Sequence, residues 1–363
     1  MSSFTSSSSQ NYLGISLIAF LIFSLSAAGI NYLTDPAGIY HQDDDLYNNL
    51  AAITLNSENG VVLPKAIDDR KYKKALALNF KHTDCIIIGS SHVMQVSSHR
   101  HIKSLPTLCN SLINLGVSGA TLEDYIVSSE IVLKNKSISS NLKFVFGIDP
   151  WSMGFDRDER WVNYGNHEIS IISSLRNENR KTIHSTSKYL NLINFDYLYQ
   201  SLNHLLSTLD TQYESVHLNQ AVNPDIGIDS PVTLPDGSII YSKDTISNFS
   251  KTPIPYGGSH YKSDHLDDKE AIALFEDQIR KILNSGHPVY FLLTPYAPNV
   301  FKSTNSKTKS QIDHMEPIIR QLANNLGIPV FGSYYPQNIG CDDLDFYDHM
   351  HPKASCLTKI VTN

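Results

Sequence analysis

Three groups of residues in this chain have the types and order that nucleophilic acyl chemistry needs. Ser91 comes directly after the short apolar run Cys85-Ile86-Ile87-Ile88, through Gly89-Ser90. A serine hydroxyl is a weak nucleophile until a neighbouring base takes its proton, and that base must be held in one tautomer. Near the end of the chain, Asp345-Phe346-Tyr347-Asp348-His349-Met350-His351-Pro352 offers both partners. Asp348 and His351 are three residues apart, so one turn can aim both side chains into one site. Between these segments lie two glycine-bearing turns, Asn114-Leu115-Gly116-Val117-Ser118-Gly119 and Gly147-Ile148-Asp149-Pro150-Trp151. Backbone N–H groups in such turns can face a developing oxyanion.

Residues so far apart in sequence meet only if the fold brings them together, and the hydrophobic pattern indicates how. Cys85 to Ile88, Leu112 to Leu115, Phe144 to Phe146, Val289 to Leu293 and Ile328 to Phe331 read as short buried strands. Helical patterns alternate with them. One begins at Thr121, which caps an acidic first turn, and runs to about Lys134; others cover Asp267 to Asn284 and about Ser310 to Leu326. Strands alternating with helices imply an α/β fold, a parallel sheet with helices on both faces. Ligands bind such sheets at the carboxyl ends of the strands, where Ser91, Gly119 and Asp149 all fall.

With this arrangement the chain resembles the SGNH (GDSL-like) hydrolase superfamily, whose fold is a three-layer α/β/α sandwich of flavodoxin-like type. Gly89-Ser90-Ser91-His92 is similar to its first block, Gly-Asp-Ser-Leu, with Ser91 at the nucleophile and Ser90 replacing the aspartate. Asn114 to Gly119 is similar to the second block, Asn-x-Gly-x-x-Gly, whose last glycine gives a backbone N–H to the oxyanion hole. Asp348-His349-Met350-His351 matches the last block, Asp-x-x-His. The resemblance covers about residues 84–150 and 287–362. It implies a Ser91–His351–Asp348 triad, an oxyanion hole drawn from Ser91, Gly119 and position 149, and no cofactor or metal.

The third block departs from the family. Where Gly-x-Asn-Asp is usual, Gly147-Ile148-Asp149 puts a carboxylate in place of the asparagine that donates to the oxyanion. An ionised Asp149 has no proton to donate and would repel the developing charge. Three possibilities stand: Asp149 is held protonated, it turns away to a structural role, or the hole works with backbone donors alone. Asn114 and Tyr296, the latter in Thr294-Pro295-Tyr296-Ala297-Pro298 after the fourth strand, are expected to line the substrate cleft. A metal site would instead need His349 and His351 to converge with a carboxylate.

The rest of the chain bounds the setting. Its 363 residues are 41% hydrophobic and carry 29 basic against 36 acidic side chains, a net charge of −7 without a basic cluster. That balance argues against a nucleic-acid partner. No charged residue occurs from Met1 to Thr34, and residues 12–33 are apolar or small enough to cross a bilayer as a helix. A cleaved signal peptide would use Ser26 and Ala28, but no Lys or Arg precedes the apolar stretch. The reading is an uncleaved transmembrane anchor behind a disordered Ser-rich tail over 1–11. A linker and N-terminal extension follow over 34–83, then the hydrolase domain over 84–363, interrupted by an insertion over 152–265. The four cysteines match no zinc spacing: Cys85 reads as simply buried, and Cys341 with Cys356 as a possible disulfide.

The expectation is a serine esterase or O-acyltransferase, membrane-tethered on the extracytoplasmic (periplasmic) side, acting on an acylated (acetylated) cell-envelope glycan or a similar small ester. Envelope polysaccharide-modification proteins would then be its partners. The alternative is a catalytically weak or inactive SGNH-like domain that binds glycan or scaffolds a polysaccharide export or modification complex, and Asp149 favours it.

Overall fold

The computed structural model of the protein describes residues 6–34, 44–64, 67–99, 105, 107–154, 160–165, 170–172, 192–193, 195–208, 214–215, 224–251, 269–302 and 306–360. The chain divides into two compact units. One comprises Met1–Asp43, Pro64–Ala66 and Arg176–Gln212; the other comprises Asp44–Leu63, Ile67–Leu175 and Tyr213–Asn363.

The first unit is helical. Helix α1, Ser6–Thr34, starts inside the Ser-rich segment expected to be disordered. Over Tyr12–Thr34 it is long and apolar enough to cross a membrane or to serve as a signal sequence. Helix α5, Phe195–Thr208, packs against it.

Among the described residues, the larger unit holds nine strands: β1 Val61–Val62, β2 Cys85–Gly89, β3 Leu112–Asn114, β4 Lys143–Gly147, β5 Glu214–Ser215, β6 Val232–Thr233, β7 Ile239–Ile240, β8 Val289–Leu293 and β9 Val330–Gly332. Five of these form a wholly parallel sheet in the order β3-β2-β4-β8-β9. The chain starts at the second position, steps to one edge, then returns past its start to β4. In doubly wound folds that reversal opens a crevice at the carboxyl ends of the two strands beside it. Here those ends are Gly89 of β2 and Gly147 of β4, which pair directly.

Alternation of side chains along each strand sends Ile86, Ile88, Phe144 and Phe146 into one core and Cys85, Ile87 and Val145 into another. The first core is covered by four long helices: α3 (Asp69–Asn79), α4 (Leu122–Lys134), Lys269–Asn284 and Lys307–Leu326. The second has no long helix among the described residues. Its cover is Val93, Val96, Leu105, Leu108, Leu357 and Ile360, from the segment after β2 and the end of the chain. Of the helices expected on both faces, those on the first face are long, and among the described residues the second has only a short one. The β2–β3 connection and the short Ala354–Leu357 helix cover that face, and a disulfide reinforces each segment: Cys85–Cys109 and Cys341–Cys356. Cys85 is thus bonded as well as buried.

Within 34–83, expected to be a linker and N-terminal extension, residues 44–63 and 67–83 belong to the larger unit. Helix α2, Asp44–Asn56, and α3 pack together and send Leu50, Ala51, Tyr72, Ala75 and Leu76 into the main core. Within the insertion, Pro235-Asp236-Gly237-Ser238 turns the β6–β7 hairpin as expected, with Gly237 at φ +77°. Asp236 Oδ1 accepts from the Ser238 N–H and hydroxyl, an Asx-type turn. The Tyr256–His260 segment, read as a loop, lies outside the described residues.

Candidate active site

The segment after β2 turns sharply into a single 3₁₀ turn, Ser91–Val93, capped by the Ser90 hydroxyl, which accepts from the His92 N–H at 3.2 Å. Glycine at the end of both central strands makes this turn possible. A Cβ on Gly89 would lie 2.7 Å from Val93 Cγ2, and Val93 also fills the space a Cβ on Gly147 would need. Val93 thus drops onto the sheet and Ser91 is left at its rim, partly exposed.

His351 reaches Ser91 from the far end of the chain. Phe346 and Pro352 form an antiparallel bridge, and the Tyr347 N–H bonds to the His351 carbonyl at 3.0 Å, making a tight loop. The Cys341–Cys356 disulfide, spanning 15 residues, encloses it. A closed loop of that size is worth about 3 kcal/mol of stability in the chain-entropy account.

Ser91 Oγ lies 2.9 Å from His351 Nε2, and His351 Nδ1 lies 2.8 Å from Asp348 Oδ2. Asp348 Oδ1 accepts from the backbone N–H of Met350 and of His351, at 2.8 and 2.7 Å. Burial, the largest influence on Asp348, pushes its pKa up. The hydrogen bond and charge of His351 and the two backbone donors outweigh burial and hold the carboxyl at about 2. A carboxylate so held fixes the imidazole with Nε2 facing the serine, which is the tautomer a general base needs. Among the described residues, no group of His, Cys, Asp and Glu side chains is arranged to hold a metal ion.

Asp149 is close by but points elsewhere. It is buried, with Oδ1 3.1 Å from His92 Nδ1 and Oδ2 3.5 Å from the Tyr125 hydroxyl. Burial raises its pKa to about 7, against hydrogen bonds from Ser90 and Tyr125. Burial, and then the charge of His351, lowers His92 well below the ordinary histidine value. The His92–Asp149 contact is therefore a neutral imidazole bonded to a carboxyl group, and at neutral pH it carries little charge separation. Of the three possibilities for Asp149, the structural role fits its contact with His92, burial favours its protonated form up to about pH 7, and an oxyanion hole here would be left to backbone donors.

Gly119 has φ +55°, the left-handed conformation that glycine adopts without strain. Its loop is gripped by side chains that no sequence motif marks. Asp69 Oδ2 accepts from the Ser118 N–H at 2.7 Å. Arg70 donates to the Ser118 carbonyl at 3.3 Å and makes a two-pronged bond to Asp124 at 2.7 and 2.9 Å. Asp124 also accepts from the Thr121 N–H at 2.8 Å, capping α4. Burial alone would lower the Arg70 pKa, but Asp124 raises it, so the cation persists at every working pH.

The two residues expected to line the cleft do not. Asn114 is fully buried; its Nδ2 donates to the Val93 and Val96 carbonyls at 2.7 and 2.8 Å, while Oδ1 accepts from the Gly116 N–H at 2.8 Å. All three bonds tie the Ser91 turn to the Gly116–Gly119 loop. Tyr296 is also fully buried and packs edge-on against His92, Trp151 and Tyr334. Its place beside the site is behind the chemistry.

Sequence reasoning also missed the aromatic cover over the imidazole. Helix α6, Lys243–Lys251 in the insertion, lays the Phe249 ring parallel to His351, with centroids 4.5 Å apart. Tyr241 stands edge-on to both Phe249 and Tyr347, and its hydroxyl bonds to the Ser91 carbonyl at 3.3 Å. His92 completes the shell, edge-on to His351 at 5.3 Å. The amphipathic pattern of residues 243–251 was the available signal for α6, but nothing in it indicated which ring the helix would cover.

No protein-family model matches the chain, and no curated protein matches it in sequence comparison.

Proposed function

We propose that the protein is a serine esterase or O-acyltransferase of the SGNH type, with Ser91 as nucleophile, His351 as general base and Asp348 as the group that orients it. The observation that carries this reading is the continuous chain from Ser91 Oγ to His351 Nε2 at 2.9 Å and from His351 Nδ1 to Asp348 at 2.8 Å. Carboxylate, imidazole and hydroxyl in that order make up an activated nucleophile.

In the reaction, Ser91 Oγ attacks an ester carbonyl as its proton passes to His351 Nε2. The C=O electrons move onto the oxygen, and the tetrahedral oxyanion is held by the backbone N–H groups of Ser91 and Gly119. Collapse expels the alkoxide, which takes the proton from His351. Water or a sugar hydroxyl, deprotonated by the same histidine, then attacks the acyl-serine and releases either a free acid or a new ester. Asp149 does not serve the oxyanion in this scheme because its carboxyl is engaged with His92. Losing one oxyanion donor costs about 10²–10³ in rate, so a slow enzyme is expected.

An acylated envelope glycan is the proposed substrate class. Two disulfides and an N-terminal helix able to span a membrane support a tethered, extracytoplasmic domain, since disulfides persist in oxidising compartments. The second reading, a weakly active glycan-binding domain, draws on the same Asp149 geometry.

The test is labelling of the full chain in detergent with a fluorophosphonate, beside Ser91→Ala and His351→Ala. Labelling lost in both variants supports the enzyme. Absent labelling in a folded wild-type chain moves the conclusion to the binding domain.

A further inference from the structure

The helical unit contains a surface that the proposed chemistry does not use. Helix α5 is apolar on two sides. Its Tyr197 and Ser201, one turn apart, are buried, as are Ala27 and Asn31, one turn apart on α1. The two helices pack, the Phe23 and Phe195 rings stack with centroids 5.9 Å apart, and Asn31 Nδ2 donates to the Leu192 carbonyl at 2.9 Å. Small and hydroxyl residues at such a contact let helix backbones come close, as in helix pairs inside membranes.

Among the described residues, the other side of α5 is largely exposed, Phe195 included although one face of its ring meets Phe23. Phe195, Tyr199, Leu202 and Leu206 are 70%, 69%, 41% and 69% exposed. At 3.6 residues per turn these four fall within an arc of roughly 60°, turned away from Tyr197 and Ser201. Removing such side chains from water is favourable. The stripe is continuous with an already apolar surface: Phe20, Ile22, Phe23 and Leu25 of α1 are each at least 50% exposed.

We propose that α5 is a second membrane-embedded element, lying in the bilayer leaflet beside the C-terminal half of α1 with its Phe195–Tyr199–Leu202–Leu206 stripe in the lipid hydrocarbon. The inference rests on reading α1 as a retained membrane span. Ala27, Asn31 and Phe23 all belong to the part of α1 that meets this segment, and a cut after Ala28 would remove Phe23 and Ala27. Between its first and last turns, α5's backbone N–H and C=O groups bond within the helix, so its middle can lie against hydrocarbon.

The experiment uses tryptophan depth quenching on the full chain, extracted from membranes and reconstituted in phosphatidylcholine–phosphatidylglycerol vesicles. Tyr199→Trp and Leu206→Trp report on α5, and Phe23→Trp reports on the span. Trp151 and Trp161 are buried, so the unsubstituted chain supplies the background. Expected for both α5 variants is quenching by acyl-chain bromolipid comparable to that of Phe23→Trp, with shielding from aqueous iodide. Iodide quenching of both α5 variants without bromolipid quenching, while Phe23→Trp is quenched by bromolipid, overturns the proposal and leaves the span standing. Shielding of the α5 variants from both quenchers means that protein, such as a second copy, covers the stripe, and overturns it too. A Phe23→Trp that bromolipid does not reach removes the span itself, and the proposal with it.

Discussion

Two aspartate–histidine pairs flank Ser91, and they differ in charge. In one, Asp348 bonds His351; in the other, Asp149 bonds His92. All four side chains are at most 10% exposed, so burial does not separate them. The donors do. Asp348 collects two backbone N–H groups from its own turn as well as the imidazole, and its pKa sits at about 2. Asp149 has hydroxyls and a neutral ring, and its pKa rises to about 7. A carboxylate stays charged inside a protein when rigid dipoles replace the water it gave up. The pair that holds its charge faces Ser91, and the pair that does not packs behind it.

The largest effect expected from breaking this contrast is at its centre. Ser91→Ala or His351→Ala should abolish fluorophosphonate labelling and leave the midpoint of thermal unfolding nearly unchanged. Next is Asp348→Asn, which keeps the shape but lets the imidazole present the wrong nitrogen. A fall of about 10⁴ in labelling rate is expected, by analogy with the serine-protease triad. It should also flatten the acid limb of stability. The lowered pKa of Asp348 contributes stability that is fully present above about pH 4 and lost as pH falls toward 2. Denaturant unfolding at pH 2.5 and 5 would show this.

Asp149→Asn sharpens the comparison from the other side. The folded chain keeps the Asp149 proton to about pH 7, whereas an unfolded carboxyl loses it near 3.8. Stability therefore drains as pH rises between those values, by up to ~1.4 kcal/mol per pH unit. The asparagine, which still accepts from His92, should remove that slope and gain stability at pH 8. Its labelling rate should stay within about tenfold of wild type. A rate gain of 10² or more would instead mean that position 149 serves the oxyanion. The smallest effect belongs to Phe249→Leu. A ring pair is worth about 0.5–1.5 kcal/mol, so a two- to tenfold loss in labelling rate is expected. Single-turnover kinetics would measure it.

Much of the large unit was legible from residue order. The five strands of the parallel sheet were readable because buried β-branched runs such as Cys85–Ile88 end abruptly in glycine, and α4 because Thr121 and Asp124 cap it. The Ser91, Asp348 and His351 positions were legible because they lie at a strand end and in a turn, where local chemistry leaves a mark. The charge state of Asp149 was not, since it depends on burial and on Tyr125 of α4 and the Ser90–His92 turn coming together from two distant elements. Asn114 and Tyr296 misled for the same reason. Polar or aromatic character at a strand end is compatible with facing a cleft or with a buried latch, and only packing chooses between them.

By itself, then, the sequence determined the strand runs, the cap of α4, the apolar N-terminal helix and the three residues able to form a hydrogen-bonded relay. Those follow from local propensity and side-chain type, which neighbours a few positions away control. Tertiary structure alone decided the Cys85–Cys109 pairing, the Arg70–Asp124 grip on the Gly119 loop, the Phe249 cover over His351 and the contact between α5 and α1. Each joins segments tens to hundreds of residues apart, and such contacts are set by how whole elements stack to bury their apolar faces.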